Sequence, residues 1–265
     1  MPDWKEPGYF STLPAGRPKS YQEYLKLFES GGAYKEAGEA STVYLFDSES
    51  ASKIKSELGL IKIILMLRNP ADMCHSLWAH NVRAGLEDRD FRTAFEASGR
   101  PESLKDKALR DYKFLYYERA LYYPQVERYI KEFGVGNVKV IIFESFFKSP
   151  KRGFEEVCDF LGISSPPERM EYSTHNAGGG GNVLTKWALR NKYWISWAVR
   201  LITSKSVRIK LMKVVHKVNK SGKKRLPNGE SGKIDDGMRR WLTMHYVDDI
   251  AKVERLIKND LTHWK

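Results

Sequence analysis

The sequence predicts an α/β chain built on a parallel sheet flanked by helices. Two observations lead there. Ile61-Lys-Ile-Ile-Leu-Met-Leu67 and Asn137-Val-Lys-Val-Ile-Ile-Phe143 are short apolar runs of strand length, rich in β-branched residues. Each is followed by residues at helical spacing, and the long stretch between them is helical in its periodicity too. Strands alternating with helices give a parallel sheet, because parallel neighbours need a crossover connection.

The elements follow in order. The N-terminal Met1-Pro-Asp-Trp-Lys-Glu-Pro-Gly-Tyr-Phe10 is extended and proline-punctuated, dense in charged and aromatic types for an end that would otherwise fray. Ser20 caps a short helix carrying Tyr21, Tyr24, Leu25 and Phe28, which Gly31-Gly32 ends. Tyr34 to Leu45 reads as a short strand, a turn at Gly38-Glu-Ala-Ser41, and a second extended piece at Tyr44-Leu45. A short amphipathic helix at 48 to 58 leads into the first buried strand.

Asn69 and Pro70 are suited to the N-cap and first position of a helix reaching about Arg83, with Met73, Leu77 and Trp78 on its buried side. A short helix near Phe91 to Ala97 interrupts a charged, loop-rich stretch. The spacing of Tyr112, Leu115, Tyr116, Leu121, Tyr122, Val126 and Tyr129 predicts one long helix from about Asp111 to Phe133, stopped by Gly134. Glu144 and Ser145 stand at the carboxyl end of the second strand, and a helix spans Lys151 to Leu161. Two helices at about 184 to 203 and 206 to 219 come next, and a last one at about Asp235 to Lys258 precedes Leu261 and Trp264. The whole reads as one domain over 1–265 with a basic helical lid or extension at about 182–230.

Charge is concentrated in that extension. Formal net charge is +12, yet between Tyr172 and Gly229 there are thirteen Lys/Arg and no Asp or Glu. The remaining 32 basic residues balance 33 acidic ones. A localised positive field suits an anionic partner, whether nucleotide, sulfated or phosphorylated substrate, acidic lipid or nucleic acid. A solvated helical face fits the same pattern. Trp187, Trp194 and Trp197 stand among these charges as they do in interfacial helices, so an anionic membrane surface is one expected partner. No nucleic-acid motif is present, and nucleic acid is not expected.

Cys74 and Cys158 are the only cysteines, far apart and in no metal-type spacing, so neither a disulfide scaffold nor a structural metal is expected. No run approaches the about 20 apolar residues of a membrane span. The N-terminus shows no secretory pattern, and with the cysteine usage this points to a cytoplasmic location. Gly178-Gly-Gly-Gly181, after His175-Asn176, lacks the lysine and Ser/Thr of a P-loop and is read as a loop, not a nucleotide cradle.

The most informative stretch is Arg68-Asn69-Pro70, where a strand delivers an arginine directly into a helix start. That arrangement is suited to an anion. With Ser76 eight positions after the arginine, it resembles the 3′-phosphate-binding motif of sulfotransferases that use 3′-phosphoadenosine 5′-phosphosulfate (PAPS). Other blocks occur in the family's order. Lys5-Glu-Pro-Gly-Tyr-Phe10 resembles the KEPxFF-type segment of bacterial and heparan-type members. Gly38-Glu-Ala-Ser-Thr-Val-Tyr-Leu45 resembles their GExSPxYL segment, with Thr42 in place of the usual proline. Val140-Ile-Ile-Phe-Glu144 with Phe160-Leu-Gly162, and the closing Tyr246 to Trp264, resemble the second conserved strand with its helix and the terminal helix.

The resemblance implies a sulfotransferase fold, a P-loop-NTPase-like parallel sheet flanked by helices. It implies transfer of a sulfonate from PAPS to a hydroxyl or amine acceptor, without a metal. Arg68 would grip the 3′-phosphate with its planar fork of donors, and Ser76 would add a hydroxyl. Glu6 takes the part of the catalytic base for the acceptor, with Lys5 beside it to neutralise the donor. His175 is a competing candidate for the base on the acceptor side, where Ser41 and Tyr44 are also placed. Ser221-Gly-Lys-Lys-Arg-Leu-Pro227 corresponds in position to the loop that closes the nucleotide site, which puts Lys224 and Arg225 on the cofactor. The family's first strand and its GxxRxGTT-type loop, which wraps the 5′-phosphosulfate, would precede Lys5. The chain is therefore expected to be an N-terminally truncated version of the fold. A non-catalytic anion or acidic-membrane binder derived from a sulfotransferase is the alternative.

Overall fold

The computed structural model describes residues 5–13, 18–31, 36–98, 112–165 and 234–265. The chain divides into two units. Met1–Asn69, Leu121–Tyr172 and Thr243–Lys265 form the first, and Pro70–Ala120 with Ser173–Leu242 the second. The predicted basic extension at 182–230 lies outside the described residues.

The first unit holds the sheet. Strand β1 (Ile63–Leu67) pairs in parallel with β2 (Val138–Ile142), in a register that runs from Ile63 opposite Val138 to Leu67 opposite Ile142. Ile63, Leu65 and Leu67 are buried, while Ile64 and Met66 are exposed. A continuous apolar run leads one to expect cover on both faces; here one face of β1 carries the core.

Around the sheet the first unit places α1 (Tyr21–Leu25), α2 (Val43–Phe46), α3 (Ser50–Leu58), and, further along the chain, α7 (Tyr122–Phe133), α8 (Phe143–Lys148), α9 (Pro150–Leu161) and α11 (Val247–Ile257). Ser20 caps α1 as its sequence predicts, its Oγ accepting the Glu23 N–H at 3.2 Å. The expected extended piece at Tyr44-Leu45 is instead the single-turn helix α2. Four apolar residues are too few for periodicity to separate strand from helix. Tyr129 of α7 donates its hydroxyl to the Tyr44 carbonyl at 2.9 Å and ties this turn to the core.

The second unit contains α4 (Pro70–Ala84), α5 (Phe91–Ser98), α6 (Tyr116–Arg119) and α10 (Asp236–Met244) up to Leu242. Helix α4 starts at Pro70 as the sequence predicts. Its buried face is Ala71, Cys74, His75, Trp78, Ala79 and Val82, so Met73 and Leu77 sit beside the core and not in it. The core here is aromatic: Trp78 meets His75 and Phe91, and Phe95 meets Trp241. Glu87 is buried with Arg89, which forks onto both its oxygens at 2.8 Å, while the Tyr116 hydroxyl donates to it at 3.0 Å. These donors overcome the effect of burial and hold the Glu87 carboxyl below its ordinary range.

The long helix predicted from 111 to 133 is broken. A 3-10 turn at Tyr112–Phe114 and the short α6 end at Ala120, and α7 begins afresh at Tyr122. Pro124 favours the break, and contacts of the restarted helix hold it in place. In a continuous helix its ring would collide with the carbonyl four residues earlier and remove a hydrogen bond. Restarting at Tyr122 puts Pro124 in a first turn, where no N–H is needed. The N–H groups of Tyr122 and Tyr123, in the first turn of α7, donate to the Asp249 carboxylate of α11 at 2.8 and 3.1 Å. Gly134, at φ 78°, ends α7 in a conformation that favours glycine.

The last predicted helix is likewise two, α10 and α11, separated by His245 and the fully buried Tyr246. No glycine or proline marks that break in the sequence.

Candidate active site

Register places the carboxyl ends of β1 and β2 side by side. The residues that follow them, Arg68 and Phe143, sit one step beyond the pair Leu67 and Ile142. The Arg68 guanidinium lies over the Phe143 ring, 5.1 Å from its centroid, a stacking that holds its plane without using its N–H groups. Arg68 is half-buried, and among the described residues no carboxylate pairs with it.

The turn after Arg68 is fixed from the neighbouring strand end. Glu144 Oε1 accepts the backbone N–H of Asn69 at 2.8 Å, and Glu144 Oε2 accepts the Trp264 indole N–H at 3.2 Å. A positioned cation thus stands at a strand end whose following turn is held, an arrangement that can hold an anion. Ser76 is half-buried on α4, in the second unit.

A second cluster in the first unit is built from the N-terminal segment and residues 39 to 47. Glu6 is at φ 53°, a left-handed conformation uncommon for a residue with a Cβ. Its Oε2 accepts the Thr42 hydroxyl at 3.1 Å. The Gly8 N–H donates to Ser41 Oγ at 2.9 Å, and the Phe10 N–H donates to the Tyr44 phenol oxygen at 3.3 Å. Ser41 and Tyr44 then give their own protons to one carboxylate: Ser41 Oγ to Glu39 Oε2 at 2.9 Å, and Tyr44 Oη to Glu39 Oε1 at 2.7 Å. Burial raises the Glu39 carboxyl above its ordinary value; the two hydroxyls pull it down, the Glu6 charge pushes it up, and the net direction is upward.

The segment is anchored further along by Asp47. It accepts the Ser11 hydroxyl at 2.6 Å, the Thr12 N–H and hydroxyl, and the Glu49 N–H at 3.0 Å. Tyr9 stacks on Tyr24 at 5.0 Å, and Phe10 meets the same ring edge-on. The N-terminal stretch is therefore packed into the first unit.

The sequence-based residues fall as follows. Glu6, Ser41 and Tyr44 belong to one hydrogen-bonded cluster, with Lys5 exposed beside Glu6. Arg68 stands at the sheet's carboxyl end and Ser76 on α4. His175, Lys224 and Arg225 lie outside the described residues. Sequence reasoning passed over Glu39, Thr42 and Glu144. The signal for the first two was their place in the block around Ser41, and for Glu144 its position directly after a strand end. Among the described residues no group of three or more His, Cys, Asp or Glu is placed to hold a metal, and no helix is long and apolar enough to cross a membrane.

The first unit thus combines a parallel α/β core, an arginine at a strand end and a carboxylate in a cross-braced turn. Residues 48–177 match the sulfotransferase domain model. That span contains β1, Arg68, Ser76 and β2, while the Lys5–Glu6 and Ser41–Tyr44 segments and Lys224–Arg225 lie beyond it. A crystal structure of a sulfotransferase from Alicyclobacillus acidocaldarius matches with a TM-score of 0.67 and 25% identity, over 99% of this chain and 87% of that one. No curated protein matches. Residues 48–177 are thus similar to a sulfotransferase domain, and the fold of the chain is the sulfotransferase α/β fold.

Proposed function

We propose that the chain is a PAPS-dependent sulfotransferase acting on a hydroxyl or amine acceptor. The observation that carries this reading is the half-buried Arg68 guanidinium, stacked on Phe143 at the carboxyl end of β1 and without a carboxylate partner among the described residues. A cation held in that way awaits an anion, and a guanidinium fork matches phosphate oxygens in two parallel hydrogen bonds. A guanidinium so placed suits a 3′-phosphate, the group to which the family resemblance also assigns Ser76. When bound, PAPS supplies a sulfonate on a phosphate leaving group.

Glu6 is suited to be the general base. Its Oε2 is anchored by Thr42, while its Oε1 makes no hydrogen bond among the described residues and is available to an acceptor O–H or N–H. Glu6 would take the acceptor's O–H or N–H proton as its oxygen or nitrogen bonds to sulfur, while the S–O bond to the 5′-phosphate breaks and adenosine 3′,5′-bisphosphate leaves. Lys5, exposed next to Glu6, supplies positive charge for the phosphate that departs.

Calorimetric titration tests the donor reading. Adenosine 3′,5′-bisphosphate, the desulfated donor, should bind the full chain at least tenfold more tightly than adenosine 5′-monophosphate. Equal affinity for the two nucleotides would remove the 3′-phosphate from the reading.

A further inference from the structure

Ser41 and Tyr44 own one hydroxyl proton each, and both protons go to Glu39, one to each carboxylate oxygen. This fixes the direction of both hydroxyls. With their protons committed, their oxygens turn lone pairs to the N–H groups of Gly8 and Phe10, 33 and 34 residues away in sequence. The segment they receive is the one whose first residues include the left-handed Glu6. A non-glycine residue in that conformation is strained and persists only where its surroundings over-determine it. Ser41 and Gly8 are buried, so the N–H of Gly8 has no water to fall back on.

We propose that Glu39 is the positioning residue of this active site. By accepting the protons of Ser41 and Tyr44, it makes both hydroxyls acceptors for the Gly8 and Phe10 amides and so locks the turn that presents Glu6. Thr42, where the resembling family segment has proline, adds a hydrogen bond to Glu6 that a proline cannot make. Both Glu39 oxygens are engaged by these hydroxyls, so it acts through Ser41 and Tyr44. Its role in turnover rests on the reading of Glu6 as base, while the lock on the turn does not.

The test uses the full chain with Glu39→Gln, Ser41→Ala, Ser41→Thr and the double variant Glu39→Gln/Ser41→Ala. A glutamine has one acceptor oxygen, so its NH2 must face one of the two hydroxyls and push that proton back at a backbone N–H. Amide hydrogen exchange by NMR should speed up about tenfold or more at Gly8 or Phe10 in Glu39→Gln, the factor for losing one hydrogen bond of about 1.4 kcal/mol, with the buried Val253 amide unchanged. Ser41→Ala should free Gly8 to the same degree, Ser41→Thr should restore protection, and the double variant should exchange at Gly8 no faster than Ser41→Ala. In PAPS turnover with 4-nitrophenol as acceptor probe, kcat should fall about tenfold in Glu39→Gln with KM for PAPS unchanged. Unchanged exchange at both amides in Glu39→Gln, or Gly8 exchange in the double variant faster than in Ser41→Ala, would overturn the proposal. Titration with adenosine 3′,5′-bisphosphate separates the two ideas: its absence in wild type would defeat the donor reading alone, since the exchange rates report on the lock without any nucleotide.

Discussion

Glu144 and Asn69, 75 residues apart, are joined by a 2.8 Å hydrogen bond from the Asn69 backbone N–H to Glu144 Oε1. The bond crosses the carboxyl edge of the sheet and fixes the turn immediately after Arg68. The second Glu144 oxygen takes the indole N–H of Trp264, which is buried at the end of the chain. One carboxylate therefore couples the Arg68 turn to the C-terminal residues.

Replacing Glu144 by Gln should uncouple them. The amide has one acceptor oxygen, so either Asn69 or Trp264 loses its partner. The expected loss is about 1–3 kcal/mol in urea unfolding, the cost of leaving a buried donor unmet. Adenosine 3′,5′-bisphosphate should bind more weakly as well, because Arg68 sits on the loosened turn. Wild-type affinity with lowered stability would confine Glu144 to the fold.

The second expectation concerns the broken helix. Asp249 serves as the N-terminal cap of α7 from another helix, so Asp249→Ala should cost about 1–2 kcal/mol, the scale of a lost cap. Pro124→Ala should leave the break in place, because the cap and the packing of Tyr122 against Trp264 still hold α7 at its observed start. Chemical-shift mapping of residues 118 to 126 in Pro124→Ala would show a continuous helix if the proline alone set the break.

The acid limb of stability should depend on Asp47. Burial pushes its carboxyl up, but the hydroxyl of Ser11, the N–H of Glu49, and the N–H and hydroxyl of Thr12 more than offset this and hold it below its ordinary value. Between the folded and the ordinary value, near about 3.9, the unfolded chain binds more protons than the folded one. Asp47 therefore contributes stability that is fully present above that ordinary value and is lost as pH falls through the lower folded value. Asp47→Asn should lower stability at neutral pH and flatten its fall below about pH 4. A parallel acid limb in the two proteins would exclude this carboxylate as its source.

What was legible in the sequence was what depends on neighbours along the chain. Ile63 to Leu67, Arg68 and Pro70 announce a strand, its end and a helix start within eight positions, and the structure has them there. Gly134 stops its helix for a local reason as well. What depends on partners far away was hidden. The apolar run Val43 to Phe46 became a helical turn through contacts such as Tyr129, and the Asp111–Phe133 periodicity concealed the break between Ala120 and Tyr122 because apolar spacing alone does not record where a helix restarts. Glu39 was legible only as a member of the block around Ser41, since its importance lies in bonds that Ser41 and Tyr44 complete with Gly8 and Phe10.

The most direct measurement is the affinity of adenosine 3′,5′-bisphosphate for wild type, Arg68→Ala and Arg68→Lys by calorimetry. A guanidinium that grips the 3′-phosphate is worth about 1.5–3 kcal/mol through charged hydrogen bonds, so Arg68→Ala should weaken binding about 10- to 100-fold. Arg68→Lys should restore only part of it, because a lysine keeps the charge and loses the fork. Equal binding by wild type and Arg68→Ala would contradict the assignment of Arg68 to the donor nucleotide.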